Sequence, residues 1–260
     1  AGNASYANSI DENGRVVGYA KTNSQDHAFL WETNKMRDLG TWPAGTASYA
    51  NSINGNGQVV GYAKTNSQDH AFLWETNAMR DLGTLSAGTA SYANSINGNG
   101  QVVGDATTTN SETHAFLWET NLMRDLGTLS GGTNSSARAI NDNGQVAGYA
   151  STAAGYIRAV LWASKQMQQL GTLGGHHSIA NSINNAGQAV GWAATLNDTR
   201  AAAFLDGTVL DLNAYLSADS DWVVLREARA INNLGAIVGY GIKRDGSTHA
   251  FLLTPKWVIG

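Results

Sequence analysis

Apolar residues in this chain come in short runs separated by Gly, Asn, Ser and Thr, and no segment sustains helical periodicity between one such break and the next. Residues 48–90 carry the pattern most clearly. A run of small and β-branched residues, Ser48 to Asn54, ends at Gly55-Asn56-Gly57, and a second run follows from Gln58 to Ala63, which predicts a hairpin on an Asn-Gly turn. After the polar stretch Lys64 to Asp69 come His70-Ala71-Phe72-Leu73-Trp74, a turn at Glu75-Thr76-Asn77, and a fourth run from Met79 to Leu85. Four short strands, each hairpinned to the next, make one antiparallel blade. Asn54 is expected to cap its own turn through its side chain, and Gly57 to adopt a positive φ.

The unit repeats along the whole chain. Its isoleucine recurs at Ile10, Ile53, Ile96, Ile140, Ile183 and Ile231, at spacings of 43, 43, 44, 43 and 48 residues. A single blade cannot bury both of its faces, so neighbouring blades must stack and the ring must close. The expected fold is therefore all-β: a six-bladed β-propeller of four-stranded antiparallel blades, one domain over residues 1–260, with repeats at about 1–43, 44–86, 87–130, 131–173, 174–221 and 222–260. A β-solenoid fits less well, since its coils are shorter and lack paired hairpin turns. Two strand orders are compatible with the pattern. If Ser-Tyr-Ala-Asn-Ser-Ile is innermost, the blades run in sequence order and Trp257 to Gly260 form the last outer strand. If Gly-Gln-Val-Val-Gly is innermost, its glycines let backbones crowd the axis and Ser5 to Ile10 clasp the last blade. The second has the better mechanical logic and the first the simpler register.

Composition narrows the function classes. Charged residues are only 14% of the chain, below the usual quarter or so, and the net charge of −4 leaves no basic stripe for nucleic acid. No apolar run is long enough to span a bilayer. Cysteine is absent, which removes disulfides, thiolate catalysis and cysteine-ligated metals. The start at Ala1 carries no signal-peptide pattern, as expected of a processed mature form or a cytosolic protein.

The elements His27-Ala28-Phe29, His70-Ala71-Phe72, His114-Ala115-Phe116 and His249-Ala250-Phe251, each preceded by Asn-x-x-Gly-x-Val-x-Gly or its close variant, resemble the HAF family of bacterial extracellular repeat proteins. Copies four and five depart with Arg158-Ala159-Val160 and Ala202-Ala203-Phe204. The resemblance implies a secreted or surface repeat protein and brings no catalytic motif with it.

The repeated residues read as scaffold. Four histidines at one place in separate blades lie too far apart for a common metal, so each is expected to hydrogen-bond a nearby Ser or Asp and lock its blade. Trp31, Trp74, Trp118 and Trp162 are expected in the core between blades. The Asp at Asp38, Asp81 and Asp125 becomes Gln169 in copy four, which argues against a shared catalytic duty. Phosphate-loop, nucleophile-elbow, zincin and EF-hand motifs are all missing, and no cofactor or metal is expected.

Chemistry is then sought where the repeat is broken. Asp105 replaces the aromatic of Tyr19, Tyr62, Tyr149, Trp192 and Tyr240; Glu227 stands where Tyr6, Tyr49 and Tyr92 stand; Arg138 and Arg229 replace Asn; His176-His177 occupy an inter-blade loop; and Asn213 to Arg229 is lengthened. Hairpin direction puts the inter-blade loops and the loops before His-Ala-Phe on one rim, where binding residues concentrate. A glycan site there would use Tyr49, Tyr92, Tyr156 and Trp222 for stacking and Asp105, Arg138, His177, Glu227 and Arg229 for polar contacts. Glycoside hydrolysis needs two carboxylates about 5–10 Å apart, and Asp105 and Glu227 belong to opposite sides of a six-membered ring. A polysaccharide lyase using His176 or His177 with Tyr156, neutralised by Arg138 or Arg158, is geometrically easier. The expected function is an extracellular, non-enzymatic binding module for a glycan or other surface macromolecule, with such a lyase as the alternative and a purely structural repeat as a third reading.

Overall fold

The computed structural model describes residues 4–22, 25–43, 45–65 and 68–255. The chain is all-β, a six-bladed β-propeller with one antiparallel sheet per repeat. Among the described residues five sheets have four strands and the last has three; its expected outer strand, Trp257 to Gly260, lies outside the described residues.

The residues sort into two compact units. Unit one, residues 1–127 with 134–140, holds three complete blades. These are β1 (Ser5–Ile10), β2 (Val16–Thr22), β3 (Gln25–Glu32) and β4 (Lys35–Asp38); β5 (Ala47–Ile53), β6 (Val59–Lys64), β7 (Asp69–Glu75) and β8 (Ala78–Asp81); and β9 (Ser91–Ile96), β10 (Val102–Thr107), β11 (Thr113–Glu119) and β12 (Leu122–Gly127). It also holds β13 (Ser135–Ile140), the first strand of repeat four. Unit two, residues 128–133 with 141–260, contains β14 (Val146–Ser151), β15 (Ile157–Ala163) and β16 (Gln166–Gly171), then β17 (Ser178–Ile183), β18 (Ala189–Ala194), β19 (Thr199–Leu205) and β20 (Thr208–Asp211), and finally β21 (Trp222–Ile231), β22 (Ile237–Lys243) and β23 (Thr248–Leu253). The lengthened segment that leads from repeat five into repeat six forms a 3-10 turn at Leu212–Tyr215.

Within unit one the first strands of successive blades lie against one another, β1 on β5, β5 on β9 and β9 on β13, and β17 lies likewise on β21 in unit two. The Ser-Tyr-Ala-Asn-Ser-Ile strand is thus the inner one. The alternative with Gly-Gln-Val-Val-Gly innermost loses its rationale, because those glycines serve a contact inside the blade. A Cβ on Gly61 would fall 1.9 Å from the Tyr49 carbonyl oxygen, and the same clash recurs at Gly18, Gly104 and Gly191. The close approach comes from a β-bulge in the inner strand, between Ala50 and Ser52 in blade two.

In blades one to three the bulge re-aims one Asn. Asn8 donates its side-chain amide to the Ala50 carbonyl at 2.9 Å, Asn51 to Ala93 at 2.8 Å and Asn94 to Ala137 at 2.9 Å, each reaching the following repeat. The turn Asn does two jobs. Asn54 Oδ1 accepts from the Asn56 and Gln58 N–H groups, as expected of a cap, while its Nδ2 donates to the Asn97 carbonyl of the next blade. Gly57 closes the turn at φ +79°.

Between these polar seams the core is aliphatic and aromatic. Phe72, Val59 and Val60 are fully buried; Leu30 of blade one packs with Ile53, Phe72 and Trp74 of blade two, and Val60 and Leu73 of blade two with Ile96 and Trp118 of blade three. The tryptophans differ from expectation at one site. Trp74, Trp118 and Trp162 are buried, but Trp31 is 37% exposed. Blade one has no preceding blade within its unit, and Ile10 is likewise 66% exposed where Ile53 and Ile96 are 6%.

Candidate functional site

The recurrent histidines form intra-blade locks. His27 Nδ1 lies 2.9 Å from Asp38, His70 2.9 Å from Asp81 and His114 2.8 Å from Asp125, each joining the third strand to the fourth. In repeat five Arg200 takes the histidine's place and meets Asp211 at 2.8 Å. A serine completes the lock: Ser48 Oγ accepts from the Ala28 N–H and donates to the Gly40 carbonyl. Ser91, Ser135 and Ser178 repeat this arrangement. These residues hold the scaffold, and among the described residues no group of three His, Asp or Glu side chains could hold a metal.

Tyr49 and Tyr92, expected to stack on sugars, instead belong to an aromatic ladder through unit one. Tyr6 stacks on Tyr19 and Tyr49 on Tyr62, both at 4.9 Å; Tyr19 meets Tyr49 edge-on at 4.9 Å and Tyr62 meets Tyr92 at 5.0 Å. The Tyr49 hydroxyl donates to Asp26 at 3.0 Å and that of Tyr92 to Asp69 at 3.1 Å. Burial and those carboxylates push both phenols up to about 12. Tyr62 stands between their rings.

The ladder ends at Asp105, which opposes Tyr92 across the sheet. Its carboxylate accepts from Asn94 Nδ2 at 3.0 Å and from the Ser136 hydroxyl at 2.8 Å. Burial raises its pKa against the lowering pull of Ser136, Asn94 and the Arg138 charge. Two departures from the repeat, Asp105 and Ser136, therefore answer each other, and the charge of a third, Arg138, acts on the same carboxylate. The change Tyr to Asp at 105 and Tyr to Ser at 136 reads as a paired substitution, a signal present in the repeat alignment but visible only once register is known.

In repeat six two departures pair with each other, Arg229 Nε lying 3.8 Å from Glu227 Oε1. Glu227 accepts from Asn181 Nδ2 at 3.0 Å, Arg229 lies over the Tyr240 ring at 5.2 Å, and Trp222 packs edge-on against Phe251 with Lys243 over its ring.

The remaining candidates meet in unit two, where the loop before β15 and the loop before β17 share one rim. Tyr156 stacks on His176 with ring centres 4.4 Å apart and planes within 11°, and meets His177 edge-on at 5.7 Å. Arg158 lies over the Tyr156 ring at 5.5 Å. His177 Nδ1 accepts from the Ile157 N–H at 3.2 Å, so a neutral His177 carries its proton on Nε2 and presents a donor. His176 is exposed, whereas Tyr156, Arg158 and His177 are half-buried. Arg158 Nη1 is buried without a hydrogen-bond partner. Arg138 belongs to unit one, with Asp105.

No protein-family model matches the chain, and no curated protein matches it in sequence. Solved structures do resemble it in fold. TolB from Acinetobacter baumannii superposes with a TM-score of 0.54 at 11% identity, over 77% of this chain and 51% of that one. A puromycin-hydrolyzing peptidase of Mycobacterium tuberculosis gives 0.60 at 13% identity, over 98% and 44%. The BP39L lectin of Burkholderia pseudomallei gives 0.53 at 10% identity, over 98% and 82%. This chain spans about half the length of the first two. At such identities the likeness establishes the β-propeller fold, and function must be argued from the site.

Proposed function

We propose that this protein is an extracellular glycan-binding module of the HAF type whose site is the Tyr156, Arg158, His176 and His177 rim. One observation carries the reading. Of the places where departures from the repeat converge, the Asp105 cluster consumes its own polar groups, whereas the Tyr156 cluster leaves a guanidinium donor and an exposed imidazole backed by an aromatic ring without internal partners. Such a combination offers a flat stacking face beside hydrogen-bond donors, which suits a sugar ring and its hydroxyls. The BP39L lectin is precedent for a propeller scaffold in that role.

The competing lyase reading needs a base at this rim. His177 spends its basic nitrogen on the Ile157 N–H, which leaves proton abstraction to His176 or Tyr156. A glycan array probed with the wild-type protein and with His176→Ala tests the binding reading. Selective signals that weaken in the variant are expected, and an array silent for the wild type would overturn it. Absorbance from unsaturated sugars on acidic polysaccharides would favour the lyase instead.

A further inference from the structure

In four blades the residue two before the middle of the third strand meets a carboxylate of the fourth strand, and in repeat four it does not. In blades one to three that residue is His27, His70 or His114, paired with Asp38, Asp81 or Asp125. In blade five it is Arg200, paired with Asp211 at 2.8 Å. Arg158 occupies the same register, two residues before Val160, and Val160 opposes Gln169 as Phe29 opposes Asp38 and Ala202 opposes Asp211. The carboxylate has become an uncharged amide. Arg158 is left with no ion pair among the described residues, one nitrogen without an acceptor, and its guanidinium over Tyr156 beside two histidines.

From this we infer that the rim selects anionic saccharides, with Arg158 receiving the carboxylate or sulfate of an acidic sugar in the place that Asp fills in blades one, two, three and five. A guanidinium takes such groups through paired, charge-assisted hydrogen bonds, and the exposed His176 ring, backed by Tyr156, supplies the flat surface on which the ring of the same sugar rests. The inference rests on the glycan-binding reading above and adds the charge of the ligand to it.

The test compares oligogalacturonate, its fully methyl-esterified form and a sulfated galactan oligosaccharide by isothermal titration. Wild type is expected to prefer the acidic oligosaccharides over the ester by about tenfold, the scale of one charge-assisted hydrogen bond. Arg158→Gln should erase that preference. Gln169→Asp restores the pairing seen between Arg200 and Asp211, so it should lower acidic binding by a similar factor and leave ester binding unchanged, with no cost to folding. A stronger response to uronate than to sulfate, or the reverse, identifies which anion the site takes. Equal binding of acid and ester, or an acid preference untouched by both variants, overturns the inference while leaving glycan binding intact. Absence of binding to all three probes and to the array removes both.

Discussion

Ser91→Ala should be among the most damaging single-atom deletions in this protein. Ser91 is fully buried, and its hydroxyl both accepts from the Ala71 N–H at 2.8 Å and donates to the Gly83 carbonyl at 2.6 Å. Alanine leaves both backbone groups without their partner. Ala71 is fully buried, so its N–H bears the whole desolvation penalty of about 1–3 kcal/mol, while Gly83 is half-buried and recovers part of its loss from water. The sum is about 2–4 kcal/mol, or a fall in melting temperature of roughly 5–15 °C at this chain length. The repeat supplies its own control, since Ser5 holds the same place in blade one but is exposed, with no preceding blade in its unit. Ser5→Ala should therefore change stability by less than about 0.5 kcal/mol. Urea unfolding followed by far-UV circular dichroism measures both. A Ser91→Ala effect under about 1 kcal/mol, or equal effects at the two sites, would refute the reasoning.

Further substitutions probe the other devices. Gly61→Ala places a methyl group against the Tyr49 carbonyl and the Ala50 backbone and should cost at least about 3 kcal/mol, the top of the overpacking range. Gly83→Ala meets open space at φ +76° and should cost only about 1–2 kcal/mol of left-handed strain; urea midpoints in the reverse order would count against the bulge account. Asp105 is held above the ordinary carboxylate range by burial, so the folded state binds its proton more tightly than the unfolded chain and the carboxylate detracts from stability above its folded pKa. Asp105→Asn keeps an oxygen for Ser136 and Asn94; it should melt higher than wild type at pH 7 and alike below the carboxylate range, near about pH 3, and a lower melting point at pH 7 would contradict this. Tyr49 and Tyr92 ionise near 12 when folded but near 10 when unfolded, so stability should fall as pH rises between about 10 and 12. Tyr49→Phe should flatten that alkaline loss, and an unchanged pH dependence by thermal melts would show that the phenol is not its source.

What the sequence reveals and conceals here follows from the range of each interaction. Hairpins, turns and blade register depend on residues within one repeat, and the Asn-x-x-Gly spacing with its alternating apolar runs makes them legible. The His–Asp lock is equally local, because each pair is separated by the same 11 positions, from His27–Asp38 to Arg200–Asp211. The contacts that escape such reading run from one repeat to the next. Asn54 looks like a simple turn cap until its second amide hydrogen is found on the Asn97 carbonyl, and Tyr49 looks like an available sugar platform until its neighbours prove to be Tyr19 and Tyr62. The same logic governs the site. Gln169 taken alone is only a lost carboxylate that weakens the case for shared catalysis. Set in register opposite Val160, it is the missing partner of Arg158 and the reason a cation stands beside Tyr156 and His176 without an internal counter-charge. A departure from a repeat points to function when it leaves a group uncommitted, and to repair when, as with Asp105 and Ser136, a second departure answers it.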